Sequence, residues 1–142
     1  MKNISILLIT LMVLFNGCKQ EKTQEKVPVI DSHTSQNSVD WAGTYSGMLP
    51  CADCDGIETT LELTNDNEFI LRQRYEGKSD EVFEEKGMFE WNESGSEISL
   101  YIEDEEPKFH QYKVGENKLF KLDSEGNRIE GELSEFYILT KE

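Results

Sequence analysis

The residues with the clearest chemical potential are Cys51 and Cys54, two cysteines separated by two residues. They lie within residues 43–60, GTYSGMLPCADCDGIETT, where a turn rich in Pro, Asp and Gly separates two strand-like runs. Two thiols at this spacing can close a disulfide or bind a soft metal ion, and few surface turns can do either. We therefore expect the chemistry of this protein to be concentrated in this turn.

Three uses of the Cys51–Cys54 pair are compatible with the residue types. As a structural disulfide it would pin the turn, and the chain-entropy contribution of so short a loop is only about 2 kcal/mol. As a metal site its two thiolates would bind Cu(I), and Met48 could add a thioether, but two sulfurs do not complete a zinc site. As a thiol–disulfide exchange centre it would need an acidic thiol, which the neighbouring Asp53 and Asp55 oppose. All three alternatives stay open at this level.

The N-terminus predicts export and lipid attachment. Lys2 precedes an apolar run over residues 4–15, which is short for a membrane span and typical of a signal peptide. Residues 14–18, LFNGC, resemble the lipobox of bacterial lipoproteins, in which the cysteine becomes the lipidated first residue. We therefore expect a lipoprotein signal peptide at residues 1–17 and attachment to the membrane through a lipid anchor at Cys18. An ordinary cleaved signal followed by a stray cysteine is the alternative.

Export also defines the redox context of the remaining cysteines. Proteins outside the cytosol meet oxidising conditions, in which thiols are potential disulfides. The sequence contains three cysteines, and lipidation would use Cys18. The remaining two are Cys51 and Cys54, so no orphan thiol is left.

The charge balance excludes one class of partner. Of the 14 basic residues only Lys2 lies in residues 1–17, so the rest of the chain has 13 basic and 29 acidic residues, a net charge of −16. Such a surface repels nucleic acid, and we expect no nucleic-acid binding.

Residues 18–40 are polar without sustained periodicity and predict a flexible linker after the lipidated cysteine. Residues 41–142 then form one folded domain.

Residues 41–142 alternate apolar and polar positions in short runs that are separated by turn clusters. The pattern predicts strands near residues 41–49, 57–63, 69–75, 83–91, 98–102, 109–114 and 118–122, with a last strand ending at residues 137–139. Seven or eight such strands favour a small all-β, antiparallel up-and-down barrel, because closure removes exposed edges. A two-sheet sandwich is the alternative. Gly87, in the middle of the fourth run, suggests a bend or bulge.

Other polar residues carry weaker signals. His110 lies between better candidates for the apolar face, so we expect its side chain to face solvent. Glu85 shares the alternation of inward residues and could line a cavity, pair with Arg72 or Arg74, or face water at an edge. The acidic run at residues 103–106 lacks the spacing of a calcium loop and is expected to be a solvated turn. Because no nucleophile–histidine–acid set, phosphate loop or paired-carboxylate motif occurs in the sequence, we do not expect an enzyme.

Several motifs occur in a fixed order along residues 41–142. Residues 43–57 read Gly-Thr-Tyr-x-Gly-x-Leu-Pro-Cys-Ala-Asp-Cys-x-Gly-Ile, and the Leu-Pro-Cys-Ala-Asp-Cys core is the most specific part. The motifs that follow are FEEKG at 83–87, the Trp91 position, ENKL at 116–119, LDSEG at 122–126 and YILTK at 137–141. Together they resemble the NlpE family, the copper resistance lipoproteins of Gram-negative envelopes.

The resemblance implies a lipocalin-like β-barrel in a non-enzymatic envelope lipoprotein, anchored to the outer membrane and facing the periplasm or the cell surface. It implies a role in copper homeostasis, or in sensing redox state or envelope stress, through Cys51 and Cys54, with Cu(I) as the candidate cofactor and an envelope protein as a candidate partner. The best-known members add an OB-like domain and activate a sensor kinase, whereas the motifs here cover the barrel alone. A lipocalin-like carrier of a small apolar ligand, with the cysteines as a structural disulfide, is the alternative. A thiol oxidoreductase is the third.

Overall fold

Eight antiparallel strands form a closed barrel in the computed structural model, which describes residues 33–102 and 110–142. The strands are β1 Gly43–Leu49, β2 Gly56–Leu63, β3 Glu68–Glu76, β4 Val82–Trp91, β5 Glu97–Ile102, β6 His110–Gly115, β7 Lys118–Lys121 and β8 Ile138–Lys141. Each strand pairs with its neighbours in sequence, and β1 pairs with β8 through Tyr45 opposite Lys141, which closes the sheet. The predicted up-and-down barrel is confirmed, and the sandwich alternative is wrong.

The alternation in the sequence places the apolar residues inside the barrel. Leu61 and Leu63 of β2 and Phe69 and Leu71 of β3 are almost completely buried, whereas the residue between each pair is more exposed. The buried core consists of Tyr45, Leu49, Leu61, Leu63, Phe69, Leu71, Phe89, Ile98, Leu100, Tyr112, Val114, Leu119 and Leu139. Removal of this apolar surface from water is the main favourable contribution to folding.

Gly87 does not mark a β-bulge. In β4, Gly87 lies opposite Phe69 on one side and Ile102 on the other, and neither register contains an extra residue. The glycine is required because a Cβ at this position would overlap the carbonyl oxygen of Tyr101 and lie 3.0 Å from the Phe69 ring. The bulge suggested by the sequence is therefore wrong, and the close approach of β5 is the reason for the glycine.

The segment before β1 packs against the barrel end that carries the turns at residues 64–67, 92–96 and 116–117. A short helix, α1 Ser35–Ser38, lies in this segment. The Ser35 hydroxyl donates to the Val114 carbonyl oxygen at 2.8 Å, and the Gln36 N–H donates to the Gly95 carbonyl oxygen at 2.9 Å. We name this end of the barrel the α1 end. No helix among the described residues has the length and apolar character needed to cross a membrane.

Trp41 connects this segment to the core. Its ring lies edge-on to Phe89 and Trp91, with ring centres 5.8 and 5.4 Å away. Its Nε1–H donates to the Gln36 carbonyl oxygen at 2.8 Å, and the Tyr45 hydroxyl donates to its carbonyl oxygen at 2.7 Å. The last part of the linker predicted at residues 18–40 thus packs on the barrel. The folded unit therefore begins before Trp41, whereas the sequence predicted Trp41 as its first residue.

The opposite end of the barrel carries the loops at residues 50–55, 77–81 and 122–137, because an up-and-down connectivity sends alternate connections to opposite ends. We name it the Cys-loop end. The pairing of β2 with β3 reaches Gly56 opposite Glu76, so the loop that holds the cysteines lies beside the turn between β3 and β4.

Candidate functional site

The cysteine loop, residues 50–55, is attached to the sheet by a backbone hydrogen bond. The Asp55 N–H donates to the Glu76 carbonyl oxygen at 3.0 Å. Within the loop Cys51 and Cys54 form a disulfide, and their Cα atoms are 5.4 Å apart, which is a usual separation for a disulfide. As the sequence predicted, the pair lies in a turn between two strands; it does not lie at the start of a helix.

Both sulfur atoms lie close to oxygen atoms. Cys51 Sγ is 3.6 Å from Asp53 Oδ1, and Cys54 Sγ is 3.4 Å from the Gly56 carbonyl oxygen. A bridged sulfur carries no proton, so in the disulfide these are contacts and not hydrogen bonds. After reduction each thiol would have an acceptor nearby, which favours the protonated thiol over the thiolate. The surroundings therefore do not activate either thiol strongly.

Asp53, between the two cysteines, has a cationic partner. The Lys78 ammonium donates to the Asp53 carboxylate, and this hydrogen bond, together with the charge of Lys78, holds the pKa of Asp53 below its ordinary value. Because both side chains are largely exposed, the pair adds little to stability. Its importance is that it places a positive charge beside the cysteine loop, where the sequence indicated only acidic residues.

Changing either of these charges is expected to alter thiolate formation in the reduced loop. Asp53→Asn removes a negative charge close to Cys51 Sγ and should speed alkylation by iodoacetamide by about twofold to fivefold, because one exposed charge at about 4 Å contributes about 1 kcal/mol. Lys78→Met should slow alkylation by a similar factor. Lys86→Met is the control, since Lys86 pairs with Glu84 on the outer face of the barrel. Equal rates in all three variants would contradict a role for the pair.

Ligand atoms for a metal ion lie close together in the same loop. One atom each from Cys51, Asp53 and Cys54 fall within 4.8 Å of one another. Two thiolates suit Cu(I), which prefers sulfur, and the reduced pair would supply them. The carboxylate is a harder ligand and is already paired with Lys78. The donor set therefore fits Cu(I) better than a closed zinc site.

Met48 lies beside this group on the outer face of β1. Its side chain is 47% exposed, and its Sδ is 2.6 Å from the position that a Cβ on Gly56 would occupy. The carbonyl oxygen of the same Gly56 contacts Cys54 Sγ. The glycine thus makes room for the Met48 side chain next to the cysteine loop, and a role as third ligand stays a prediction.

His110 does not point to solvent, and that expectation is wrong. It shares the inward face of β6 with the buried residues Tyr112 and Val114, and its Nδ1 lies 3.3 Å from Lys121 Nζ. Lys121 follows Leu119 in the inward alternation of β7, and burial lowers the pKa of its ammonium. The positions of Lys121 and Tyr112 as polar residues of the interior were not predicted from the sequence. The alternation of inward and outward residues in their strands nevertheless indicates these positions.

Glu85 faces the barrel interior and pairs with neither of the two arginines considered for it. Arg72 Nε lies 2.7 Å from the Glu84 carboxylate, and an Arg74 guanidinium nitrogen lies 2.6 Å from that of Glu58. Glu85 instead lines a cavity at the Cys-loop end, which was one of its predicted roles.

Three predicted features lie outside the described residues. They are the signal peptide at residues 1–17 with the lipidated Cys18, the linker as far as residue 32, and the acidic turn at residues 103–106. All three stay predictions.

Comparison with known sequences identifies relatives of most of the barrel. Residues 45–132, well over half of the chain and including the cysteine loop, match the NlpE N-terminal domain family. Lipoprotein NlpE of Escherichia coli (strain K12) is 33% identical over 91 residues, which represent 64% of this chain and 38% of that protein. The chain thus matches well under half of the length of this relative.

Solved structures agree with the sequence comparison. A putative lipoprotein from Shewanella oneidensis has a TM-score of 0.70 and 50% identity, with 77% of this chain and 95% of that chain covered. The Cpx pathway activator NlpE from Escherichia coli has a TM-score of 0.53 and 33% identity, with 63% and 46% covered. The relatives are named as lipoproteins or as a pathway activator, and none is named as an enzyme. The extent of the match and the shared barrel show that this chain belongs to the NlpE lipoprotein family and contains an NlpE N-terminal domain.

Proposed function

We propose that this protein is a non-enzymatic envelope lipoprotein that responds to redox state and to copper through Cys51 and Cys54. In the oxidised form the pair is a disulfide, and in the reduced form its two thiolates bind one Cu(I). The observation that carries the proposal is the position of the bond, on a partly exposed loop at one end of the barrel and outside its core.

Opening this disulfide is compatible with a folded barrel. The bond closes a very short loop, for which the chain-entropy estimate is about 2 kcal/mol. The barrel itself is held by the closed pairing of eight strands and by a core in which neither cysteine takes part. Reduction can therefore change the chemistry of the loop without unfolding the domain, which is what a sensor requires.

An external thiol is the reductant in the proposed reaction. Two electrons and two protons break the sulfur–sulfur bond and give two thiols, while the reductant becomes a disulfide. Cu(I) then displaces the two thiol protons, and Cys51 and Cys54 hold the ion through their sulfurs. Met48 lies close enough to the loop to be tested as a third, weaker ligand. Lys78 offsets part of the repulsion between Asp53 and the thiolates.

The location and partner follow from the same proposal. Acyl chains on Cys18 would tether the protein to the outer membrane, facing the periplasm or the cell surface. One relative, NlpE from Escherichia coli, is named as an activator of the Cpx pathway, and 46% of that chain is covered by the match. For this protein we propose only that the state of the cysteine loop is read by another envelope protein, as part of a response to copper or envelope stress.

Titration of the reduced full-length protein with Cu(I) tests the metal proposal. Under anaerobic conditions and in competition with a chromophoric Cu(I) chelator, about one Cu(I) should bind per chain. The double variant Cys51→Ser, Cys54→Ser should bind none, and the oxidised protein should bind none. Met48→Leu should weaken binding severalfold if the thioether is a ligand.

The control for this titration is the double variant Ser94→Ala, Ser96→Ala, whose hydroxyls lie in a turn at the α1 end. It should bind Cu(I) like the original protein. Undiminished uptake by the cysteine-free variant would exclude the loop as the copper site. A disulfide that resists reduction by millimolar thiols in the folded protein would count against the redox response as well.

A further inference from the structure

The barrel interior is not uniformly apolar. At the α1 end it is filled by packed aromatic side chains, with Trp41, Phe89 and Trp91 in mutual edge-on contact. Toward the Cys-loop end a cavity of about 380 Å³ is lined by residues of β3, β4 and the turn between them: Gln73, Tyr75, Lys78, Ser79, Phe83 and Glu85. Cavities of this volume accommodate small ligands in other proteins.

Glu85 lines this cavity and has one carboxylate oxygen without a hydrogen-bond partner in the described part of the chain. Its Oε2 is buried and has no hydrogen-bond partner among the described residues. The arginines of the neighbouring strand, Arg72 and Arg74, pair with other carboxylates. Burial of a carboxylate oxygen without a hydrogen bond is unfavourable, so a donor group of a ligand would be stabilised at this position.

Tyr112 adds a second polar atom without a partner. Its side chain is completely buried, and its hydroxyl has no hydrogen-bond partner among the residues that the structure describes. Burial first, and then the charge of nearby Glu85, raise the pKa of this phenol, so the hydroxyl keeps its proton. Two neighbouring polar groups without partners are uncommon in a folded interior. Glu85 is the one of the two that lines the cavity.

The two lysines near the cavity have other partners. Lys78 pairs with Asp53 of the cysteine loop. Lys121 Nζ lies over the Tyr112 ring, 5.2 Å from its centre, and 3.3 Å from His110 Nδ1. Neither ammonium forms an ion pair with Glu85 among the described residues. Lys78 and Glu85 are the charged residues of the lining, and Lys78 already pairs with Asp53, so the Glu85 carboxylate is the charged group left for an entering ligand.

Aromatic side chains form another wall of the cavity. Tyr75 and Phe83 pack edge to face, with ring centres 5.7 Å apart and planes at 84°. Phe83 is 45% exposed, although its strand position points inward, so its ring is available at the mouth of the cavity. Aromatic faces beside a carboxylate attract organic ammonium ions. The net charge of −15 favours the approach of cations in general.

We propose that the Cys-loop end of the barrel binds a small organic cation, an amine with an apolar or aromatic portion, whose ammonium group contacts Glu85 while its apolar portion packs on Tyr75 and Phe83. This site is separate from the proposed copper chemistry and does not require the cysteines to be reduced. It also differs from a carrier site for a wholly apolar ligand, because its defining group is a carboxylate.

Isothermal titration calorimetry with the full-length protein tests this proposal. The probe is 2-phenylethylammonium, and 2-phenylethanol is its neutral analogue of similar shape. The ammonium should bind saturably at one site, at least about tenfold more tightly than the alcohol. Glu85→Gln should abolish this preference. The matched control is Glu84→Gln, because the adjacent Glu84 side chain pairs with Arg72 outside the barrel and its loss should leave the preference intact.

Phe83→Ala is a second test of the site, and the residue that it replaces is not buried. Because Phe83 is partly exposed, this variant should keep the far-ultraviolet circular dichroism of the barrel while losing about tenfold in affinity for the ammonium. Equal affinity for the ammonium and the alcohol, a preference that survives in Glu85→Gln, or unchanged binding in Phe83→Ala would each overturn the proposal. Tighter binding of the neutral alcohol would favour an apolar carrier instead.

Discussion

Replacement of Phe89 by alanine is expected to lower the free energy of unfolding by about 3–5 kcal/mol, the range typical of a buried phenylalanine. Phe89 is 2% exposed, and its ring packs edge-on to both tryptophans, with centres 5.8 Å from Trp41 and 6.4 Å from Trp91. The substitution leaves a cavity at the α1 end and removes two aromatic contacts. Urea denaturation, followed by tryptophan fluorescence and circular dichroism, measures the loss.

Met88→Ala is the matched control for this experiment. Met88 is the preceding residue of β4, its side chain is 49% exposed, and it lies opposite Tyr101 on the outer face. Its replacement should change the free energy of unfolding by no more than about 0.5 kcal/mol. Similar losses in the two variants would contradict the inward and outward assignment of β4.

Replacement of Trp41 by alanine is expected to lower the free energy of unfolding by about 2–4 kcal/mol. The estimate combines two edge-on aromatic contacts of about 0.5–1.5 kcal/mol each and one hydrogen bond of about 1 kcal/mol with the loss of packed apolar surface. The hydrogen bond is the one that Trp41 Nε1–H donates to Gln36. Denaturation of the variant in urea measures the effect, and circular dichroism is the suitable signal because a tryptophan has been removed.

Phe136→Ala is the comparison for Trp41→Ala. Phe136 is also aromatic, but it is 55% exposed in a single 3-10 turn, Ser134–Phe136, before β8. Its replacement should change the free energy of unfolding by at most about 0.5 kcal/mol. If Trp41→Ala proved equally mild, the segment before β1 would behave as part of the linker and not as part of the folded unit.

The architecture could be predicted because its signal is local. The two-residue alternation of Leu61, Leu63, Phe69 and Leu71 assigns one face of each strand to the core, and short turn clusters between runs predict antiparallel neighbours. Seven or eight strands in one small domain then favour closure, because an open sheet would expose two edges. The role of Gly87 could not be obtained in this way, since the Tyr101 carbonyl oxygen that excludes a Cβ comes from a different strand.

The polar interior was harder to predict because both faces of a strand can carry apolar residues. In the sequence run at residues 109–114 the aromatic Phe109 and Tyr112 belong to opposite phases of the alternation, and the phase that predicts Phe109 inside the barrel places His110 in solvent. The observed phase puts His110 and Tyr112 inside, where Lys121 of β7 meets them. The pairing of β6 with β5 and β7 decides between the two phases.

For the candidate site, the sequence by itself determined the residue types and their spacing. Two cysteines two residues apart in a turn can form a disulfide or bind Cu(I), whatever surrounds them. The tertiary structure decided what surrounds them: Lys78 beside Asp53, and Met48 over Gly56. Asp53 and Lys78 are 25 residues apart in the chain and Met48 and Gly56 are 8 apart, and strand pairing brings each pair together. A local pattern cannot contain that information, because a charge or a thioether acts through distance in space and not through separation in sequence.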